Sequence, residues 1–466
     1  MRQLLLILAV LMCGTLAAAE PLHVGVATVD ITPPVGYRLC GYFNERPSTG
    51  VHDPLFAKAI YLRQGTTEAA WIFCDLIGAD GRITAKTRTE IEKRCGIRPQ
   101  HVLVHGTHSH TGPLWGGALR DHLHALAKER NGGVDPLETV DYPALLVERC
   151  SSATEQAKAA AKAVTLREGV GLERTISFNR RFELKNGAVK FNPGRFNPEI
   201  ARVLGPIDPE VGVLTFAAPD AAEPFAALTV FALHLDTVGG TEYSADYPLY
   251  LEQTLRDKFG GKFTSLFGNG TCGDINHIDV ANDQPQKGQE MAKHLGTTLG
   301  GTVLQTMQTL RKVEEPSLAV ATSVIQVPAQ QYSAERLAEA KKGIFLVGTR
   351  QSTFLEQVEA CKIIDLARRG GGETLPLEVQ AFRLSKDVAL VSLPGEVFVE
   401  LGMWIKLQSP FKTTLVVELC NDTPAYIPTR KAFAEGSYET VNSRIQAGGG
   451  EAMALEAVKL LRGLAN

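Results

Sequence analysis

Past its first residues, the chain has no stretch long and apolar enough to cross a bilayer. It also has no long basic run. With a formal charge of −3, that argues against nucleic acid as a main partner. The eight cysteines never form a CxxC pair, so neither a zinc knuckle nor a dense disulfide frame is indicated. Cys13 falls in the leader, and the remaining seven, several in apolar runs such as "WIFCDL" and "VVELCND", read as buried free thiols. No repeat and no low-complexity linker interrupts the chain. Histidine is scarce as well, 11 in 466 residues. Yet "VLVHGTHSHTGP", residues 102–113, places His105, His108 and His110 together directly after an apolar run.

The opening "MRQLLLILAVLMCGTLAAAEP" has one Arg, an apolar stretch and then small residues. This is the layout of a cleaved secretory signal over 1–19, cut after Ala19, and it implies a secreted or periplasmic protein with no stable membrane insertion. An uncleaved anchor is the alternative. A lipoprotein modified at Cys13 is another, disfavoured by the bulk of Met12 before it.

Between 20 and 466, β-branched apolar runs alternate with helical stretches. "AWIFCDLIGAD", "HVLVHGTH", "VGVLTFA", "AALTVFALHLD", "FTSLFGNG" and "VALVSLPG" read as strands, several of them apolar on both faces. "LLVERCSSATEQAKAAAKAV", "DYPLYLEQTLRDKF", "GQEMAKHLGTTLGGTVLQTMQTL" and "GEAMALEAVKLLRGL" read as helices. The predicted fold class is α/β (mixed α+β), with mixed β-sheets packed between helices in a single large domain. "RRGGGE", 368–373, is the most flexible-looking junction. Several strands run into polar, Gly-rich turns, and ligand sites in α/β sheets gather at such strand ends.

These turns hold the candidate residues. His108 and His110 share a face if the strand continues, close enough to hold a metal or a substrate, although loop histidines with ordinary hydrogen bonds fit equally well. His105 reads as packing or support. His234 ends "LTVFAL", with Asp236 and Asp246 following. Glu396 follows "LPG" and reads as an acid opening a helix. Tyr426 reads as a half-buried, hydrogen-bonded tyrosine. "GNGTCGDINH" closes on Asp274, Asn276 and His277, and its glycines let backbone approach a ligand. In Asn179-Arg180-Arg181 a guanidinium fork could hold an oxygen, or the pair is a surface one. The sequons at Asn269 and Asn421 read as chance matches. His122 and His124 read as solvent-facing on a short helix in the segment 114–143, which is expected to border the site.

In their order along the chain these segments resemble the catalytic domain of the neutral/alkaline, non-lysosomal ceramidases. The resemblance runs from about residue 22 to the end. "VGVATVDITPPVGYRLCGY" matches the family's opening, and "GTHSHTGP" resembles its THTHSGP motif. "FNRR", "VFALHLDT", "LPGEVF" and "NDTPAYIPTRKAFAEGSYE" resemble further family segments in sequence. The resemblance implies one zinc held by His108, His234, Glu396 and Tyr426. It implies a proton carrier or oxyanion donor at His110, an active-site arginine at Arg180, and an amide substrate that is a lipid or a small molecule.

The chain departs from the family at "GDIN", where Asn276 replaces the serine of GDxSPN. Asparagine is no nucleophile but can donate a hydrogen bond, so the implied attack is by zinc-activated water with Asn276 assisting. Asp274 is expected to orient Asn276 or the metal shell. No C-terminal immunoglobulin-like domain is expected after the last helix. Two other readings stand beside this one: a metal or lipid binder that has lost turnover, and a metal hydrolase of a different ester or amide.

Overall fold

The computed structural model describes residues 20–466. The predicted signal segment, 1–19, lies outside the described residues. Three sheets meet around one apolar centre. The first has five strands in the order Val102–Gly106, Thr67–Cys74, Phe56–Gln64, His23–Asp30 and Lys162–Ala163. The second, also five-stranded, runs Thr264–Asn269, Ala226–Phe231, Glu210–Ala217, Thr165–Leu172 and Arg311–Lys312. The third has four: Pro316–Pro328, Thr374–Ser385, Val388–Ser392 and Thr413–Val417.

The pleat explains why these strands are apolar throughout. Successive side chains of Thr67–Cys74 point to opposite faces. Ala69, Trp71 and Phe73 enter the central core with Leu214, Leu228, Leu390 and Leu415 from the other two sheets. Ala70, Ile72 and Cys74 face outward, where the helices Gly81–Cys95 and Tyr142–Ala159 cover them with Ile91, Leu146 and Ala153. The helices Tyr247–Phe259 and Gln289–Met307 cover the second sheet in the same way. Val399–Gln408 and Gly449–Ala465 cover the third. The expected α/β class with sheets between helices is therefore found. Among the described residues, no helix is long and apolar enough to cross a membrane.

Each sheet contains one parallel pair, and these pairs position the site. Val102–Gly106 lies parallel to Thr67–Cys74, Ala226–Phe231 to Thr264–Asn269, and Val388–Ser392 to Thr413–Val417. Beyond the third pair, a two-residue parallel ladder sets Glu396 opposite Tyr426 and Val397 opposite Ile427. The seven cysteines of the described residues are buried and free, with the Cys74 and Cys150 sulfurs 3.7 Å apart. "RRGGGE" is less loose than it reads, because Asp365 and Asp422 hold Arg369 by ion pairs of 3.1 and 2.7 Å.

Candidate functional site

The apolar strand Val102–Gly106 stops at Gly106, where the backbone passes so close to Gly78 that an added Cβ would sit 2.5 Å from its Cα. The strand does not persist through the histidines, so strand alternation is not what brings His108 and His110 together. Instead His108 adopts a positive φ of 76°. That conformation is costly for a non-glycine residue, on the order of 1–3 kcal/mol, and is retained only where surrounding contacts impose it. The contacts here are backbone bonds from Thr107 to Cys74 O and from His108 to Leu76 O, each 2.8 Å. The His108 ring is fixed as well, its Nδ1 lying 2.6 Å from Ile77 O.

His234 arrives from the end of Ala226–Phe231, with its Nδ1 3.4 Å from Cys272 O. A carbonyl can only accept, so each Nδ1 carries the proton and each Nε2 presents a lone pair. The two Nε2 atoms lie 2.9 Å apart. His110 Nε2 is 3.3 Å from that of His108. Glu396 Oε2 lies 3.5 Å from His108 Nε2 and 3.8 Å from His234 Nε2. That oxygen is buried and has no hydrogen-bond donor. Glu396 belongs to the short ladder rather than to the helix start, since Val399–Gln408 is capped by Phe398.

The electrostatics agree with the geometry. Burial drops the His110 ring to about 3. Burial likewise holds His234 well below the usual histidine range, so both rings are neutral near pH 7. Burial alone would raise the Glu396 carboxyl, but neighbouring His108 and Tyr426 bring it below its ordinary value. Facing lone pairs beside an unpartnered carboxylate oxygen form a donor set suited to a cation. His108, His110 and His234 could hold a metal ion together.

Around this centre, Tyr426 stands opposite Glu396 in the short ladder. Its hydroxyl accepts from Arg180 Nη2 at 3.1 Å. Arg180 also donates to Gly273 O at 2.8 Å and to Glu439 Oε1 at 3.0 Å. Arg181 takes the other Glu439 oxygen at 2.7 Å, so this arginine pair is buried rather than on the surface. Burial pushes the Tyr426 hydroxyl far up, and Glu396 adds to that.

The other two candidates are placed differently. Asp274 accepts from Val399 N–H and Asn179 Nδ2, both at 2.8 Å. Its two oxygens are spent at a helix start and on the Asn179 amide, not on Asn276 or the histidines. Asn276 donates to Asn192 Oδ1 at 3.0 Å and accepts from Ile278 N–H at 3.0 Å. His105 is buried, with its Nδ1 2.8 Å from Glu418 O. His124 is not solvent-facing, because its Nδ1 lies 2.8 Å from Asp135 and 3.0 Å from Glu138. That cluster could hold an ion too, but Arg38 and Arg120 already pair with both carboxylates.

Sequence reading missed two buried acids, Glu418 and Glu439. Two adjacent arginines in an apolar segment were the available signal for a buried acid. Nothing local marked which acid it would be.

No family model matches the chain. A segment of 122 residues is 30% identical to a neutral ceramidase of Oryza sativa subsp. japonica, covering 25% of this chain and 15% of the rice protein. The whole fold superposes on the neutral ceramidase of Pseudomonas aeruginosa with a TM-score of 0.72 at 17% identity, covering 96% of this chain and 75% of that one. A ceramidase complexed with C2 gives 0.69 at 16% identity, with the same coverage. The motif order had pointed to the same family, and the chain is neutral ceramidase-like in fold.

Proposed function

We propose that this chain is an exported, zinc-dependent hydrolase that cleaves an amide bond in an N-acyl lipid or a related small molecule. The observation that carries the reading is the pair of His108 and His234 Nε2 atoms 2.9 Å apart, beside the unpartnered Glu396 Oε2. Imidazole, carboxylate and phenol oxygen suit zinc, and His108, His234, Glu396 and Tyr426 would hold it. When bound, zinc lowers the pKa of water and polarises a carbonyl.

The chain's own residues do the rest. Neutral His110 accepts a proton, its ring kept uncharged by burial. Arg180 stays charged because Tyr426 and Glu439 outweigh its burial, and it offers positive charge beside the reacting carbonyl. Asn276 cannot act as a nucleophile, so attack falls to water. Its Nδ2 retains a second hydrogen for an oxyanion. Asp274 serves by anchoring Val399 and Asn179 around that loop.

The test is zinc content together with hydrolysis of a short-chain fluorogenic ceramide and a panel of other amides and esters. Wild type, His108→Ala and Asn276→Ser would be compared. Stoichiometric zinc with turnover, both lost in His108→Ala, supports the reading. Asn276, with its amide already engaged by Asn192 and Ile278, favours a second reading: a binder that retains the pocket without turnover. Zinc without turnover, and activity restored by Asn276→Ser, would select it. Absence of zinc would remove both readings.

A further inference from the structure

The helices Ala334–Gly343 and Phe354–Arg368 pack against each other through Ala340, Ala360 and Ile363, so the end of the first lies beside the start of the second. Three large apolar side chains are exposed at this end of the hairpin: Phe345 by 60%, Phe354 by 44% and Leu355 by 43%. Single apolar residues are ordinary on a surface, but several at one turn mark a place of contact. The turn between the helices is fixed. Gly348 N–H donates to Gln357 Oε1 at 3.0 Å, and Gln357 Nε2 donates to Thr349 O at 3.0 Å and to Ser352 O at 3.2 Å.

The same end is basic. Lys341 and Lys342 occupy the last turn of the first helix and Arg350 the joining turn, all three exposed. The acids of the pair are engaged elsewhere. Glu339 and Glu359 hold Arg336 at 2.7 and 2.8 Å, and Glu356 accepts from Thr353 N–H at 2.7 Å. Phenylalanine and leucine beside exposed lysine and arginine are the composition of a segment that lies at a lipid–water interface.

Ring contacts lead inward from this end. The Phe354 ring lies 5.8 Å from Phe43 and 5.2 Å from Tyr438, whose own ring is 5.4 Å from that of Tyr426. Phe43 in turn lines a cavity of about 240 Å³ that has Glu396 in its wall.

We infer that this hairpin end docks on an anionic lipid surface. Phe345, Phe354 and Leu355 enter the headgroup region, and Lys341, Lys342 and Arg350 meet its charge. The chain rests on the bilayer without spanning it. The inference rests on the N-acyl lipid side of the hydrolase reading, because a substrate held in a bilayer has to be met at its surface.

The test is flotation with vesicles of phosphatidylcholine alone and of phosphatidylcholine mixed with phosphatidylglycerol. Wild type should float with the mixed vesicles and much less with the neutral ones, and added salt should release it. The double variant Lys341→Ser, Lys342→Ser should weaken binding by about tenfold or more, since each cation near such a surface contributes about fivefold. The double variant Phe345→Ser, Leu355→Ser should weaken it at every salt concentration. All four residues are exposed, and thermal melting checks that both variants fold as wild type does. Wild type that floats with neither vesicle, or with both alike, would overturn the inference, as would variants that bind like wild type. So would a wild-type dimer in sedimentation that the Phe345 variant dissolves, which would give the patch to a second copy of the chain. Turnover does not enter these readouts. A chain that docks but hydrolyses no amide would uphold the inference and count against the hydrolase reading.

Discussion

The backbone N–H of Val397 donates to the buried Glu418 carboxyl at 2.5 Å, so an acid remote in sequence fixes the chain one residue after Glu396. The Cys272 thiol lies 3.0 Å from its other oxygen. Burial, opposed by the Cys272 contact, raises this carboxyl well above the usual range and keeps it neutral. Glu418→Gln, a neutral isostere, should therefore fold and retain the metal. Glu418→Ala leaves the Val397 donor unsatisfied, at about 1–3 kcal/mol, and should weaken metal affinity by roughly 10–100-fold. Chemical denaturation and a competitive zinc titration would check both, and equal behaviour of the two variants would contradict the positioning role.

Chelation should loosen the whole fold. A ligand that binds only the native state adds about 4 kcal/mol at a thousandfold excess over Kd. EDTA is expected to lower the Tm of wild type, and zinc to restore it. His108→Ala and His234→Ala should start at the lowered value and respond to neither reagent. A wild-type Tm indifferent to EDTA would speak against a bound metal.

Glu439 joins two buried guanidiniums, with Arg180 at 3.0 Å and Arg181 at 2.7 Å. Removing one partner of such a group leaves uncompensated buried charge, at a cost of about 3–5 kcal/mol. Glu439→Ala should lose stability on that scale in urea denaturation. It should also lose turnover, since Arg180 is no longer held against Tyr426. A change below about 1 kcal/mol would show that solvent reaches the pair and screens it.

Asp75 supplies a pH signature. Burial, opposed by Lys58 and aided by Asp53 and Glu252, pushes its carboxyl up to about 7. An unfolded aspartate titrates near about 4, so the folded state holds this proton more tightly between the two values. Its ionisation therefore weakens the fold as pH rises from about 4 to about 7, and the loss is complete above that. Asp75→Asn retains an acceptor for Phe56 N–H, now 2.8 Å from Oδ2. Its Tm relative to wild type should climb between pH 5 and pH 8. A flat or falling difference would show that Asp75 ionises without penalty.

What could be read from the sequence was what short-range pattern encodes. Two-sided apolar strands such as Thr67–Cys74 marked covered sheets, and polar turns at their ends marked where His108, His234 and Glu396 would sit. The meeting of these residues was legible only as an ordered set of motifs. What escaped depends on long-range packing. Asp274 lies in the right loop but faces a helix start, because Val399 N–H needed an acceptor there. His124 turned inward to Asp135 and Glu138, pairs that helix periodicity does not reveal. The positive φ of His108 has no marker in a residue that is not glycine.

The ladder that sets Glu396 opposite Tyr426 separates spacing from chemistry. Main-chain hydrogen bonds fix where the two side chains start, whatever those side chains are. Tyr426→His thus changes the ligand atom, and Glu396→Asp shortens its reach, while the mount stays in register. The same backbone could be refitted for other ions by changing side chains alone, as a lens is changed without rebuilding the camera.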